Sequence, residues 1–279
     1  MPGISLWRRA GLWFGLIIVL GTVLIAAFGP SLTQDPFEQD LMSRMQPPVW
    51  MEGGGEAHWL GTDQLGRDYL ARLVYGARIS LLIGLTTTLI SGLIGTALGV
   101  AGGYFGGRVD DAVLFAITTR LSLPVVLVAL AVVGLVGSSL TVVMATLGLL
   151  LWDRFAVVAR STTMQIRHLD YIDAARAAGC STSWILLREV LPNIAEHLAV
   201  VATLEVALAI LLEAVLSFLG LGVPPPLPSW GLMIAEGKDF MFFAMWIITI
   251  PGLAMMLLVL GINLLGDGLR DVFGLGSQR

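Results

Sequence analysis

The stretch SLLIGLTTTLISGLIGTALGVAGG, residues 80–103, runs for 24 positions without a charged side chain. A helix needs roughly 20 apolar residues to cross the hydrocarbon of a bilayer. A surface helix of a soluble domain would show a charged or strongly polar stripe every third or fourth residue. This run offers only threonine and serine, so it reads as a transmembrane span. Lipid gives the backbone no hydrogen-bond partners, so the span must be helical.

Five more runs of this kind flank it. GLWFGLIIVLGTVLIAAFG lies near 11–29, AVLFAITTRLSLPVVLVALAVVGLVG near 112–137 and LTVVMATLGLLLWDRFAVVA near 140–159. A longer, less pure run extends from about 194 to 221, and FMFFAMWIITIPGLAMMLLVLGINLLG lies near 240–266. The whole chain agrees: 56% of its 279 residues are hydrophobic and 13% are charged, against about a quarter charged in soluble domains. Mean hydropathy is +0.86. The fold class is an all-α membrane protein with six transmembrane helices. Residues 1–29 hold the tail and first span, 30–78 a long first outer loop, and 79–279 the transmembrane core.

The same composition excludes several functions. A formal net charge of −4 gives no basic field for nucleic acid. One cysteine, Cys180, rules out an intrachain disulfide, and His58, His168 and His197 show no ligand spacing. No metal site is expected. No G-x-x-x-x-G-K-[ST] loop occurs. The nearest string, GLMIAEGK at 231–238, has five residues between its glycines and an aspartate after the lysine. G-x-S-x-G and H-E-x-x-H are also absent. The chain carries no catalytic residues of its own, and any ATP it uses is hydrolysed elsewhere.

Arginine sets the orientation. Arg8 and Arg9 precede the first run, which is too long for the apolar part of a signal peptide and reads as an uncleaved span. With the N-terminus inside, the inner segments hold Arg8, Arg9, Arg108, Arg154, Arg160, Arg167, Arg176, Arg188, Arg270 and Arg279. The outer segments hold Arg44, Arg67, Arg72, Arg78 and Lys238, and Arg120 stays within the third run. The bias predicts both termini inside.

On the outer side, GTDQLGRDYLARLVYGARIS (61–80) predicts a helix capped by Thr62 or Asp63 and ended by Gly76. Leu65, Tyr69 and Leu73 share a face, and Asp63 and Arg67 stand a turn apart. Such a helix either packs on the outer ends of the spans or docks an external partner. The segment GLGVPPPLPSWGLMIAEGKD (220–239) is a proline-stiffened loop in which Trp230 reads as an interface anchor. GGYFGG (102–107) closes the second span as a helix-end turn.

Three charges fall inside spans. Glu205 and Glu213 are about two turns apart on the fifth run, and Arg120 precedes a kink expected at Pro124. Buried charges must be paired or wet. Either the three line a water-filled translocation path that attracts a cationic group, or they form structural ion pairs. Asp153 and Arg154 sit near the inner end of the fourth run and read as interfacial.

DYIDAARAAGCSTSWILLREVLP, 170–192, is too polar to cross and falls on the inner side. Asp170 and Asp173 favour a helix start, four alanines give it a slim surface, and Gly179 stops it. Ser181, Thr182 or Ser183 starts a second short helix, and Pro192 marks the junction with the fifth span. The pattern suits a helix that fits a partner's groove, or an ordinary connector.

D-A-A-x-x-x-G followed by E-V-L-P resembles the EAA loop, E-A-A-x-x-x-G-x9-I-x-L-P, of ABC importer permeases. Asp173 takes the acidic place; Ala174, Ala175, Gly179, Leu191 and Pro192 match; Glu189 stands where isoleucine is usual. GTDQLGRD (61–68), LLEAVLSFLGLG (211–222), PPLPSWG (225–231) and NLLGDGLRD (263–271) resemble the dipeptide, oligopeptide and nickel permeases, in the half with the long first outer loop. The resemblance implies the type I permease fold, with 165–192 as a coupling loop that docks on an ATP-binding subunit. It implies a bacterial or archaeal inner-membrane permease forming half of a heterodimeric pore, with a homologous second permease. Two ATPase subunits would carry ATP and Mg, and an extracytoplasmic binding protein would deliver peptide, or a nickel chelate or glutathione. A secondary transporter is the rival class; it would show an internal repeat with matching broken helices, and none is found.

Overall fold

The computed structural model describes residues 6–274, with side chains from residue 11 onward. Arg279 and the side chains of Arg8 and Arg9 lie outside the described residues. Five helices are long and apolar enough to cross a membrane: Gly11–Ser31, Tyr69–Phe105, Leu140–Ile166, Thr182–Phe218 and Trp246–Val272. The pair Gly107–Leu121 and Val125–Val136, bent by 84° at their junction, makes a sixth when the two are taken together as one broken span. We name the helices α1 (Leu6–Phe28), α2 (Tyr69–Phe105), α3 (Gly107–Leu121), α4 (Val125–Val136), α5 (Leu140–Leu150) and α6 (Asp153–Ile166). Then follow α7 (Asp170–Ala177), α8 (Thr182–Ile185), α9 (Leu191–Phe218), α10 (Trp230–Gly237) and α11 (Trp246–Val272).

α2 is the spine of the bundle. Its 37 residues exceed what the bilayer needs, so it carries the chain from the outer loop to the inner turn. Gly95, Gly99 and Gly103 recur every fourth residue along one face, and α6 lies directly on them. A Cβ at Gly99 would stand 2.5 Å from the Ala156 carbonyl oxygen, and one at Gly103 2.7 Å from that of Arg160. Without a hydrophobic drive between helices in lipid, such close backbone packing is what holds spans together. α1 lies at the edge, with Gly15 against Gly261 and Leu265 of α11. α2 exposes Leu82, Leu85, Leu89 and Leu93, and the last three line an apolar cavity shared with α1, α9 and α11.

The third run differs from its expected single span. Leu123 precedes Pro124, which disfavours helical backbone, and the chain turns instead of merely kinking. The helix expected over 62–76 also differs. Gly76 lies inside α2, and the cap is Asp68, whose carboxylate accepts from the Ala71 N–H at 2.7 Å. Residues 62–68 form a tight turn closed by an antiparallel bridge between Thr62 and Asp68. Gly66 sits at φ +74° with the Asp40 carbonyl where its Cβ would be, so the second glycine of GTDQLGRD is required twice over.

That turn is held by charge. Asp63 accepts from the backbone of Leu65 and Arg67 and from the Arg67 Nε at 2.6 Å, all within the turn. It also accepts from Arg72 at 2.5 Å, and Arg72 reaches Glu236 of α10 at 2.8 Å. Trp230 is buried rather than interfacial, because its indole N–H finds the Leu73 carbonyl at 2.9 Å. The outer loop, the start of α2 and α10 are thus one locked unit.

Candidate functional site

Two regions hold the functional candidates: the inner helix α7 and the charges at membrane depth. α7 ends where local chemistry dictates. The Cys180 N–H bonds back to the Ala175 carbonyl and the Gly179 N–H to that of Arg176. This is the Schellman closure, and it needs the left-handed φ of +78° that Gly179 adopts. Ile172 is fully buried among Val100, Ala159, Ile166, Ile185, Val190 and Ile194, the inner ends of α2, α6 and α9. The opposite side, with Ala174, Ala177, Ala178 and Gly179, is exposed, as are Leu169, Tyr171 and Trp184. Arg176 pairs with Asp173 at 2.9 Å and stacks over the Tyr104 ring at 5.2 Å, tying α7 to the end of α2.

The second half of the segment is not broken at Pro192. Thr182–Phe218 is continuous, and residues Leu186–Val190 form a π turn just before the proline. A proline cannot supply the N–H of a regular helix; the wider turn absorbs that loss. Glu189 lies in this turn, half-buried beside Tyr171. Burial, and then that carboxylate, push the Tyr171 phenol above its ordinary value. Leu191 is half-buried and Pro192 exposed.

At membrane depth the charges sort into two groups. Arg120 bridges the break between α5 and α6: its Nε donates to the Leu150 carbonyl, freed where α5 ends, and lies 3.1 Å from Asp153. Arg154 lies 3.3 Å from Glu205, and Glu205 is within electrostatic reach of Asp153 and Arg120. Glu213 stands apart from them. Its Oε1 accepts from the Ser217 and Ser229 hydroxyls at 2.7 Å each, fixing α9 to the start of α10. Asp153 and Arg154 are not at the inner end of their span: Leu140–Ile166 continues through α6 and places them at its middle. The apolar run thins after residue 159 while the helix does not, and that misled the sequence reading. Arg154 is therefore a cation at the middle of a spanning helix, where the sequence reading places it at an end. Among the described residues no group of three or more His, Cys, Asp or Glu side chains could hold a metal.

The fold and these sites define a multi-span permease with a small inner helix seated on the bundle. Residues 74–275 match the family described as binding-protein-dependent transport system inner membrane component, and residues 5–48 match the N-terminal TM domain of oligopeptide transport permease C. The chain belongs to this family of ABC importer permeases: it is a multi-pass inner-membrane transport component and not an enzyme. It is 42% identical to the di/tripeptide transport system permease protein DppC of Pseudomonas aeruginosa over 96% of this chain and 88% of that one. It is 40% identical to the glutathione transport system permease protein GsiD of Pectobacterium atrosepticum over 97% and 90%. A chain of the inward-facing MetNI methionine ABC transporter shares the fold, with a TM-score of 0.58 at 19% identity over 72% of this chain and 95% of that one. Family membership implies an ATPase and a binding protein as partners.

Proposed function

We propose that this chain forms half of the translocation pore of an importer for short peptides. A homologous second permease supplies the other half, two ATPase subunits carry the ATP and Mg, and both termini face the cytoplasm with them. The substrate class rests on relatives whose names specify dipeptide and di/tripeptide transport at 38% and 42% identity over nearly the whole chain. The glutathione permease at 40% keeps a modified tripeptide as the second reading.

α7 is the coupling helix in this reading, with Asp173, Ala174, Ala175, Gly179, Glu189, Leu191 and Pro192 as the coupling set. The observation that carries it is its asymmetry: one residue, Ile172, is sunk into the bundle while the alanine face is bare. A lever transmits displacement only through close packing at both ends. ATP-driven closure of the ATPases would then rock the spans as a rigid-body transition between inward-open and outward-open. The path runs beside Arg120 and Glu205, while Glu213 holds the outer loop. The deciding experiment is calorimetry of the cognate binding protein against dipeptides, longer peptides, glutathione and chelated nickel. Binding of chelated nickel alone would end the peptide reading.

A further inference from the structure

We propose that Arg154 is a binding residue for the C-terminal carboxylate of the passing peptide, held in position by Glu205; this rests on the peptide reading above.

Arg154 lies 14 residues after Leu140 and 12 before Ile166 in its span, and Glu205 sits just as centrally in Leu191–Phe218. Yet the Arg154 side chain is 55% exposed while that of Glu205 is 1% exposed. An exposed guanidinium at that depth cannot face lipid cheaply; such residues border a wet cavity or protein. The rest of the helix face agrees. Val157, Ser161 and Gln165 continue from Arg154 toward the inner end of α6 at helical spacing, all exposed. α2 exposes residues at the same spacing, Leu82, Leu85, Leu89 and Leu93, and every one is leucine. Leu85, Leu89 and Leu93 line an apolar cavity shared with α1, α9 and α11, whereas the exposed α6 face carries Arg154, Ser161 and Gln165.

The geometry of the pair then selects the ligand. Nε of Arg154 faces Glu205 Oε1 at 3.3 Å. Neither Glu205 oxygen has a hydrogen-bond partner, so the buried carboxylate is present as a counter-charge, not as part of a satisfied network. The terminal nitrogens of Arg154 have no partner among the described residues. They form a fork suited to a carboxylate. A second subunit need not supply an acid here, because Glu205 already neutralises the arginine. The anionic group common to all linear peptides, whatever their side chains, is the terminal carboxylate. Glu205 is a positioning residue in this arrangement.

The test uses the complete importer in proteoliposomes. A dipeptide and its C-terminal amide are each supplied at concentrations that saturate the binding protein, as set by calorimetry. Arg154→Gln is expected to lower import of the free acid roughly tenfold, the loss of one charge-assisted hydrogen-bonded pair. Import of the amide should fall less than about twofold, with all subunits still co-purifying. Equal loss for both substrates, or loss of the second permease from the complex, overturns the assignment. If Arg154→Gln does not reach the membrane, Arg154→Lys carries the same comparison, because it keeps the charge beside Glu205 and loses the fork. A smaller loss confined to the free acid supports the proposal, and an equal loss removes it. Import of neither peptide by the wild type would fell the peptide reading and this assignment together; import by the wild type with no selectivity in the variants fells this assignment alone.

Discussion

Arg72 donates to Asp63 at 2.5 Å with both side chains buried, one on the first turn of α2 and the other in the loop before it. Asp63 contacts Arg67 and Arg72 at 2.6 and 2.5 Å, whereas Glu236 reaches the same two guanidiniums at 3.7 and 2.8 Å, so Asp63 makes the shorter contact with each. Removing one partner of a buried pair strands a charge, at a cost of about 3–5 kcal/mol. Asp63→Asn is therefore expected to be more damaging than Arg72→Met, which leaves Arg67 between Asp63 and Glu236. Thermal unfolding of the detergent-purified protein measures the order. Equal midpoints for the two variants would show that the network is not centred on Asp63.

Gly179 tests the coupling helix. Its φ of +78° disfavours any L side chain, but nothing lies within 4 Å of where a Cβ would sit. Gly179→Ala should therefore cost only the left-handed strain, roughly 1–2 kcal/mol, and retain the ATPases on co-purification. Gly179→Arg adds the same strain plus bulk on the bare alanine face. It should reach the membrane and lose the ATPases. Normal co-purification of Gly179→Arg would remove α7 as the docking helix.

Gly99 tests the spine. A methyl there meets the Ala156 carbonyl and the Arg160 amide nitrogen, at 2.5 and 2.9 Å, and backbone cannot step aside. Gly99→Ala is expected to destabilise by about 1–3 kcal/mol as overpacking. Gly21, on α1, has nothing within 4 Å, and Gly21→Ala should be neutral or slightly stabilising through helix propensity. Membrane abundance of the two variants gives the comparison; a matching fall in both would mean that α2 and α6 do not depend on that close approach.

What the sequence reveals here follows from how local the cause is. The stop of α7 at Gly179 is legible because every atom of its closure lies within residues 175–180. The GTDQLGRD turn is only half legible. Asp63 and Arg67 do pair at four residues' spacing, but on a turn and not a helix, where Asp63 caps the Leu65 and Arg67 N–H groups and also pairs with the distant Arg72. The G-x-x-x-G-x-x-x-G run at 95–103 is legible as a packing face from its four-residue spacing. Trp230 was beyond reach: its indole partner is the Leu73 carbonyl, 157 residues away in the chain. The contact of Arg120 with the Leu150 carbonyl, across the break between α5 and α6, is equally long-range and unmarked by hydropathy.

Glu213 separates a wet path from a structural lock. Its Oε1 takes two serine hydroxyls, and its Oε2 has no hydrogen-bond partner and lies 2.7 Å from where a Cβ at Gly231 would stand. Gln keeps one carbonyl oxygen for the serines but places an NH2 where the buried, unpartnered Oε2 stood. An unsatisfied buried donor costs about 1–3 kcal/mol. Glu213→Gln should accordingly lower membrane abundance and peptide import in proportion. Gly231→Ala should do the same without touching the charge, since its methyl would strike both that oxygen and the Ala214 backbone at 2.6 Å. Import that falls in Glu213→Gln at full abundance, with Gly231→Ala intact, would instead place Glu213 on the translocation path, because only a group that meets the passenger can be lost without loosening α9 from α10.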